Sequence, residues 1–298
     1  MTWVKNLSLE VQHLHPGGWA RLCRGGAGTV SVVSDRTRRP ADHPFFDSPL
    51  PLAIAHRGFS PDGLENSMRA FEAAIKLGYG YLETDARATK DGIVLAFHDA
   101  TLDRVTDRTG RLADLPYAEV AAARIRGVEP IPRLEDVLGA WPHARVNVDA
   151  KDAATVAPLA RVIDRAGAHG RICLASFSDR RRAGVLSRLS APVATSPGTR
   201  IMASFRAASA VIGPARAARA VLANVDCLQV PVKFGQVTMV TEKLVAGLHG
   251  AGKQVHVWTI NDEPTMRTLL DIGVDGIMTD RADTLRDVLI SRDVWHTA

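Results

Sequence analysis

The sequence predicts an α/β fold, a (β/α)8 barrel with a small insertion after the second strand. From residue 51 onward, short apolar runs alternate with longer amphipathic segments, which is typical of parallel strands joined by crossover helices. Eight such strand-then-helix repeats can be counted, the number that closes this type of barrel. The second strand is followed by a stretch too long for a simple loop, which predicts the insertion.

Most of the predicted strands are followed promptly by a helix. The strands are residues 52–56, 81–86, 145–149, 172–175, 193–195, 227–230, 254–259 and 275–278. Helices are predicted to begin near Asn66, Leu134, Ala154, Asp179, Arg200, Thr238, Glu263 and Ala282. The insertion, residues 89–133, contains a further extended run at 93–97 and then turn-rich sequence.

Residues 1–48 differ in composition from the rest of the chain. They contain Gly-Gly pairs and the segment Pro-Ala-Asp-His-Pro, with no sustained hydrophobic period. We therefore expect an irregular or poorly ordered extension over residues 1–48, followed by a catalytic barrel domain over residues 49–298. An over-extended start of translation and a targeting segment are the alternatives for this extension.

The composition is that of an ordinary globular protein, with 298 residues, 46% hydrophobic and 23% charged. The net charge of +5 comes mostly from arginines spread along the chain, which argues against nucleic acid and favours a small anionic substrate. Three widely spaced cysteines predict neither a disulfide framework nor a zinc knuckle. Neither a membrane helix nor a signal peptide is apparent, so we expect a cytoplasmic protein without a stable membrane anchor.

Two acids lie close together in the second predicted strand. Glu83 and Asp85 are two residues apart, so their side chains point to the same side. Burying two carboxylates together costs roughly several kcal/mol unless a positive charge compensates them. A divalent cation would do so, and so would a salt bridge to Arg57 or Arg87.

Asp149 and Lys151 favour the cation. They lie at the end of the third predicted strand, which neighbours the second in a barrel, so three carboxylates could meet at the carboxyl ends of the strands. Oxygen ligands alone favour magnesium, calcium or manganese over zinc. The sequence thus predicts a metal site at this end of the barrel.

Two of the ten histidines have distinctive positions. His56 ends the first predicted strand, and His98 follows the run 93–97 and precedes Asp99, an acid that could orient its ring. A histidine is more often structural or solvated than catalytic, but a pair at the carboxyl ends of barrel strands would supply an acid and a base.

Several short motifs occur together. They are His-Arg-Gly at 56–58, Glu-Asn-Ser at 65–67, Glu-Thr-Asp at 83–85, Thr-Lys-Asp-Gly at 89–92, Phe-His-Asp-Ala-Thr-Leu-Asp-Arg at 97–104, Pro-Ile-Pro-Arg-Leu-Glu at 130–135, Asn-Val-Asp-Ala-Lys at 147–151, Val-Trp-Thr-Ile-Asn at 257–261 and Asp-Gly-Ile-Met-Thr-Asp at 275–280. In order and spacing the chain resembles the glycerophosphodiester phosphodiesterase family over nearly everything after residue 50.

The resemblance implies a TIM barrel related to phosphatidylinositol phospholipase C, and metal-dependent hydrolysis of glycerophosphodiesters to glycerol 3-phosphate and an alcohol. It implies one divalent cation, with magnesium or calcium expected. It also implies roles for particular residues: Glu83, Asp85 and Asp149 as metal ligands, His56 and His98 as acid and base, Arg57 and Lys151 as phosphate contacts, Glu65 as an acid near the site, and Trp258 as a wall of the substrate pocket. Packing within the barrel is the other interpretation of Trp258.

Asp149 departs from the family pattern, which usually has glutamate at this position. Aspartate is shorter by one methylene, about 1.5 Å of reach. Related barrels that cleave sphingomyelin or lysolipids have aspartate there, so a lysophospholipase D-type enzyme stays open as an alternative, as does a barrel that only binds phosphodiesters. The lipid enzyme predicts an exposed apolar loop or an amphipathic helix near the barrel mouth, and residues 200–223 could be such a helix or an ordinary outer helix.

Overall fold

In the computed structural model, which describes residues 43–297, eight parallel strands form a nearly closed barrel. The strands are β1 (Leu52–His56), β2 (Tyr81–Ala88), β3 (Arg145–Ala150), β4 (Ile172–Ala175), β5 (Ala194–Thr195), β6 (Cys227–Pro231), β7 (Gln254–Trp258) and β8 (Gly276–Thr279). They pair in the order β5-β4-β3-β2-β1-β8-β7-β6. The predicted fold is confirmed, and each predicted strand end lies within two residues of the observed one.

The barrel has one seam without strand pairing, between β5 and β6. A loop residue, Asp226, bridges this seam. Its backbone N–H donates to Thr195 O at 3.0 Å, and its side-chain Oδ2 accepts from Thr195 N at 2.9 Å. The two-residue strand β5 is therefore held on this side by an aspartate.

The helices are α1 (Met68–Lys76), α2 (Tyr117–Val120), α3 (Leu134–Ala140), α4 (Val156–Arg165), α5 (Asp179–Leu186), α6 (Thr199–Ile212), α7 (Pro214–Val221), α8 (Glu242–His249), α9 (Glu263–Asp271) and α10 (Ala282–Ser291). Seven of the eight predicted starts lie within two residues of an observed start. The prediction near Thr238 is wrong, because Lys233–Phe234 and Val237–Thr238 form an antiparallel hairpin. Helix α8 starts after this hairpin, where Thr241 Oγ1 accepts from Leu244 N at 3.2 Å.

The insertion folds against the carboxyl end of β2. Residues Val94–Ala96 pair antiparallel with that end, as the extended run at 93–97 predicted. The rest of the insertion contains α2, a short 3-10 helix and a two-stranded sheet of Arg124–Ile125 with Glu129–Pro130. Its buried apolar side chains form a small core of their own, which includes Leu95, Phe97 and Leu112. This core supports the loop that carries His98.

The amino-terminal end of the described chain closes the bottom of the barrel. Residues Pro44–Phe46 form a 3-10 helix, and Phe45 and Phe46 are buried in a cluster with strand residues. Tyr81 Oη donates to Phe45 O at 2.6 Å. Residues 43–48 of the predicted extension therefore pack on the barrel, whereas residues 1–42 lie outside the described residues. Within residues 43–297, no helix is long and apolar enough to cross a membrane.

Candidate active site

A cavity of about 520 Å³ opens at the carboxyl ends of the barrel strands. This is the end at which barrel enzymes carry their active sites. Its lining includes all but one of the residues that the sequence analysis selected: His56, Arg57, Glu83, Asp85, His98, Asp149, Lys151 and Trp258. The exception is Glu65, which contacts Arg57. The structure thus brings the selected residues together.

The turn after β1 depends on a glycine. Arg57 has φ 56°, the left-handed region that is uncommon for residues other than glycine. Gly58 follows with φ 81°, and a Cβ at this position would lie 2.6 Å from the carbonyl carbon of Ala70. The glycine therefore allows helix α1 to approach closely, and the turn directs Arg57 into the cavity.

Asp85 is surrounded by positive charge. Lys151 Nζ lies 2.7 Å from Asp85 Oδ1 and 2.8 Å from Asp149 Oδ2, so the ammonium joins the facing positions of β2 and β3. On its other side, Arg57 Nε lies 3.0 Å from Asp85 Oδ2. Burial by itself would raise the pKa of Asp85, but Lys151 and Arg57 outweigh it and lower that pKa. Asp85 is therefore ionised at neutral pH.

Glu83 has weaker compensation. The backbone N–H of Arg57 donates to Glu83 Oε2 at 3.2 Å, and His56 Nε2 lies 3.8 Å from the same oxygen. Burial, together with the charge of Asp85, raises the pKa of Glu83 to about 7. The ionised form of Glu83 is therefore less stabilised by its surroundings than that of Asp85.

His56 is held by an acid from the neighbouring strand. Its Nδ1 donates to Asp280 Oδ1 at 2.6 Å, just beyond the end of β8. Asn261 fixes this acid, because its Nδ2 donates to Asp280 Oδ2 at 2.8 Å and its Oδ1 accepts from Asp280 N at 2.9 Å. Burial lowers the pKa of His56, but Glu83 and Asp280 outweigh it and the net pKa is raised. The sequence analysis missed Asp280 and Asn261, although both lie in its motifs.

His98 is held by its neighbour in sequence. Its Nδ1 donates to Asp99 Oδ1 at 2.6 Å, which is the contact that the sequence suggested. Its carbonyl oxygen accepts from Arg87 Nε at 2.7 Å, and Arg87 also pairs with Asp152 at 2.9 Å. Arg87 therefore fixes the loop of His98, and Arg57 is the arginine that pairs with a strand β2 acid.

A chain of ion pairs connects Asp99, which binds His98, to Arg57 in the turn after β1. Arg104 binds Asp99 through its Nε and Glu65 Oε1 through its Nη2, the latter at 2.7 Å. Arg57 Nη1 donates to the same Glu65 oxygen at 2.9 Å. The hydrogen bond from Arg104 lowers the pKa of Asp99 to about 2. Glu65 is thus placed to orient Arg57 from behind, within a network that also fixes His98.

The other side of the cavity is apolar. Trp258, at the end of β7, lines it and meets the ring of Phe177 edge-on, with centroids 5.9 Å apart. Phe234 and Val237 of the hairpin after β6 line it as well, and so does Met202 of α6. Trp258 also packs against the buried cluster at the barrel centre, and its role in substrate binding stays a prediction. The sequence analysis missed the rest of this apolar wall.

Comparison with known proteins agrees with this geometry. The family model described as "Glycerophosphoryl diester phosphodiesterase family" matches residues 56–284, which contain every selected residue. The chain belongs to this family. The match confirms the family prediction and, with it, the predicted enzyme class, a phosphoric diester hydrolase.

Individual relatives cover most of the chain. The "Probable glycerophosphodiester phosphodiesterase 2" of Mycobacterium tuberculosis is 44% identical over 275 residues, 92% of this chain and 99% of that protein. "Lysophospholipase D GDPD1" of Homo sapiens is 25% identical and covers 79% of this chain and 85% of its own length. A phosphodiesterase structure from Oleispira antarctica, in complex with the product sn-glycerol-3-phosphate, has a TM-score of 0.66 at 23% identity and covers 81% and 97% of the chains.

The residues fit the divalent cation that this family generally uses, although not in the arrangement seen here. Within residues 43–297, no three acidic, histidine or cysteine side chains are grouped as a metal site, and Lys151 Nζ lies between Asp85 and Asp149. Two observations nevertheless indicate room for a cation. Asp149 Oδ1 is buried without a hydrogen-bond partner, and the charge at Glu83 is poorly neutralised. The donors of Glu83, Asp85 and Asp149 are carboxylate oxygens, which suits magnesium or calcium.

Proposed function

We propose that this protein hydrolyses glycerophosphodiesters to glycerol 3-phosphate and an alcohol, using one divalent cation and two histidines. The observation that carries the proposal is that His56 and His98 line one cavity and that each has its Nδ1 bound to a carboxylate. Binding at Nδ1 leaves Nε2 as the nitrogen that can exchange a proton with a substrate. The cavity thus offers two oriented imidazoles.

Arg57 and Lys151 supply the positive charge that attracts the phosphodiester. Both line the cavity, and both are fixed by acids, Arg57 by Glu65 and Lys151 by Asp149. A cation held by Glu83, Asp85 and Asp149 would neutralise charge on the phosphoryl oxygens. Arg57, paired with Glu65, needs little reorganisation as charge builds up in the transition state, which is how such sites accelerate phosphoryl transfer. Lys151 would have to move away from Asp85 and Asp149 when these acids bind the cation.

The proton transfers balance between the two histidines. One takes the proton of the attacking group, either water or the neighbouring glycerol hydroxyl, as that oxygen bonds to phosphorus. The other gives a proton to the alcohol oxygen as its bond to phosphorus breaks. Attack by the hydroxyl forms a cyclic glycerophosphate, and water then opens the ring to glycerol 3-phosphate while the two histidines exchange roles. Asp280 and Asp99 stabilise whichever imidazole is protonated, since each accepts from its Nδ1.

One assay tests the whole proposal. Purified protein is incubated with glycerophosphocholine, glycerophosphoethanolamine, glycerophosphoglycerol and a lysophospholipid, with and without a chelator, and then with each divalent metal restored. We expect glycerol 3-phosphate from at least one glycerophosphodiester, loss of turnover with the chelator, and recovery with magnesium or calcium. No turnover of any substrate with metal present would overturn the proposal and favour a barrel that only binds phosphodiesters.

The apolar wall favours a second candidate, a lysophospholipase D-type enzyme that acts on lipid phosphodiesters. Phe177, Phe234 and Trp258 lie in the same cavity as the histidines, where an acyl chain could pack against them. Three relatives at 25% identity are named lysophospholipase D. The assay separates the candidates, because a lipid enzyme turns over lysophosphatidylcholine with a higher kcat/KM than glycerophosphocholine.

A further inference from the structure

Exposed apolar side chains concentrate at the mouth of the cavity. In the part of the chain that the structure describes, seven large hydrophobic side chains are exposed. Three of these line this cavity, namely Phe177, Phe234 and Val237, with 58%, 72% and 49% of their surface exposed. Exposed apolar groups scattered singly need no explanation, but a cluster at the rim of a site indicates a surface that meets a partner.

The hairpin presents two of these side chains on one face. Phe234 pairs directly with Val237 across the two short strands, and directly paired residues lie on the same side of a hairpin. The base of the hairpin is fixed to the barrel, because Met239 N donates to Val232 O at 2.8 Å and Met239 belongs to the buried core. The hairpin is thus an anchored projection with an apolar face.

The two chain segments that form this rim carry basic side chains, although the Asp179 carboxylate accepts from the backbone N–H groups at the start of α6. Residues 196–212, the loop before α6 and α6 itself, contain Arg200 and Arg206 and no acidic residue. Residues 232–241, which include the hairpin, contain Lys233 and again no acidic residue. Arg206 lines the cavity beside the apolar side chains. The opposite side of the same mouth holds the site's acids, paired with Arg57 and Lys151, so the exposed apolar side chains of the rim are confined to one side.

Basic side chains around a small apolar projection form the combination that binds anionic lipid surfaces. The apolar tip enters the region between headgroups and acyl chains, while arginine and lysine attract the headgroups. We propose that the hairpin and the start of α6 dock this protein on a lipid surface that carries anionic headgroups, with Phe234 and Val237 entering the interface. Docking of this kind directs the cavity toward the lipid, where phosphodiesters with an attached chain are present.

Vesicle sedimentation tests the docking without any need for turnover. The full chain is mixed with vesicles of phosphatidylcholine alone or of phosphatidylcholine with phosphatidylglycerol. We expect sedimentation with the anionic vesicles, and binding on the order of tenfold weaker for the double variant Phe234→Ser and Val237→Ser. Lys233→Glu should weaken binding by at least about fivefold, and added salt should weaken the binding further.

Val211→Ser is the control. Val211 lies near the end of α6 and is 83% exposed, but it does not line the cavity. This variant should bind vesicles as the wild type does. The docking proposal is overturned if the wild type stays in the supernatant, if the double variant binds equally well, or if Val211→Ser loses as much binding. It is also overturned if the hairpin instead joins two copies of the chain, seen as a dimer that the double variant dissociates.

The same preparations separate this proposal from the proposed function. Turnover of glycerophosphocholine, glycerophosphoethanolamine, glycerophosphoglycerol and a lysophospholipid is measured without vesicles and with metal present. Vesicle binding without turnover overturns the enzymatic proposal and leaves the docking intact. Turnover without vesicle binding overturns the docking proposal and leaves the enzymatic proposal intact.

Discussion

The two sides of the barrel mouth differ in what fixes their side chains. On the side of β1, β2 and β3, the cations at Arg57 and Lys151 are bound by acids, and both histidines are bound by aspartates. On the side of α6 and the hairpin, the lining is apolar and partly exposed. The difference indicates a division of tasks. In the proposed function, the ionic side would position the phosphodiester and the apolar side would select the group attached to it.

The largest expected effect comes from the ionic side. His98→Ala should reduce kcat by about 10² to 10⁴-fold, because it removes a proton donor or acceptor, while thermal unfolding and metal binding stay unchanged. The variant His143→Ala, at an exposed histidine outside the cavity lining, is the control and should behave as the wild type. Turnover by His98→Ala at the wild-type rate would refute the assignment of this histidine.

A smaller loss is expected when a histidine keeps its ring but loses its orienting acid. Asp280→Asn should lower kcat by up to about 10²-fold with little change in KM, because the amide can donate to His56 Nδ1 and so favour the wrong tautomer. The control is Asp283→Asn, an acid that pairs with Arg281 on the nearby surface. An equal loss in both variants would show that Asp280 has only a structural role.

The apolar side should affect substrate choice. Phe177→Ala is expected to raise KM for a lysophospholipid by about tenfold, because it removes apolar contact area, and to leave kcat for glycerophosphocholine within about twofold. Steady-state kinetics with the two substrates provides the measurement. If this substitution instead abolished turnover of the small substrate, the proposed division between the two sides of the mouth would be wrong.

The smallest effect concerns stability and pH. The pKa of Asp99 is lowered to about 2 by Arg104, so this pair stabilises the folded state fully above the ordinary aspartate pKa near 4. The contribution is lost as pH falls toward 2. Arg104→Ala should therefore lower the free energy of unfolding by about 1 kcal/mol or less at neutral pH, and the difference should shrink below pH 4.

Urea unfolding at pH 7, 4 and 2.5 measures this difference. Arg108→Ala, in the same insertion, serves as the control and should show no such pH dependence. A difference between wild type and Arg104→Ala that stays constant down to pH 2.5 would exclude the ion pair as its cause.

Local sequence patterns were sufficient for much of the fold. Apolar runs set the eight strands to within two residues, because alternation and strand length are properties of neighbouring residues. The hairpin after β6 was missed for the same reason. Its strands are only two residues long, too short for any period, and the segment was assigned to the start of a helix.

In the candidate site too, the sequence predicted the local relations and missed the contacts between distant residues. The sequence by itself determined that Glu83 and Asp85 share one side of a strand, and that His98 has Asp99 as its neighbour, since these relations are local. Only the tertiary structure decided that Asp280 binds His56, because these residues are 224 positions apart and meet through the pairing of β1 with β8. The structure alone also decided that Lys151 bridges the carboxylates of Asp85 and Asp149 and that Phe234 is exposed. Such contacts depend on how distant strands and loops pack around the barrel, which no single segment of sequence encodes.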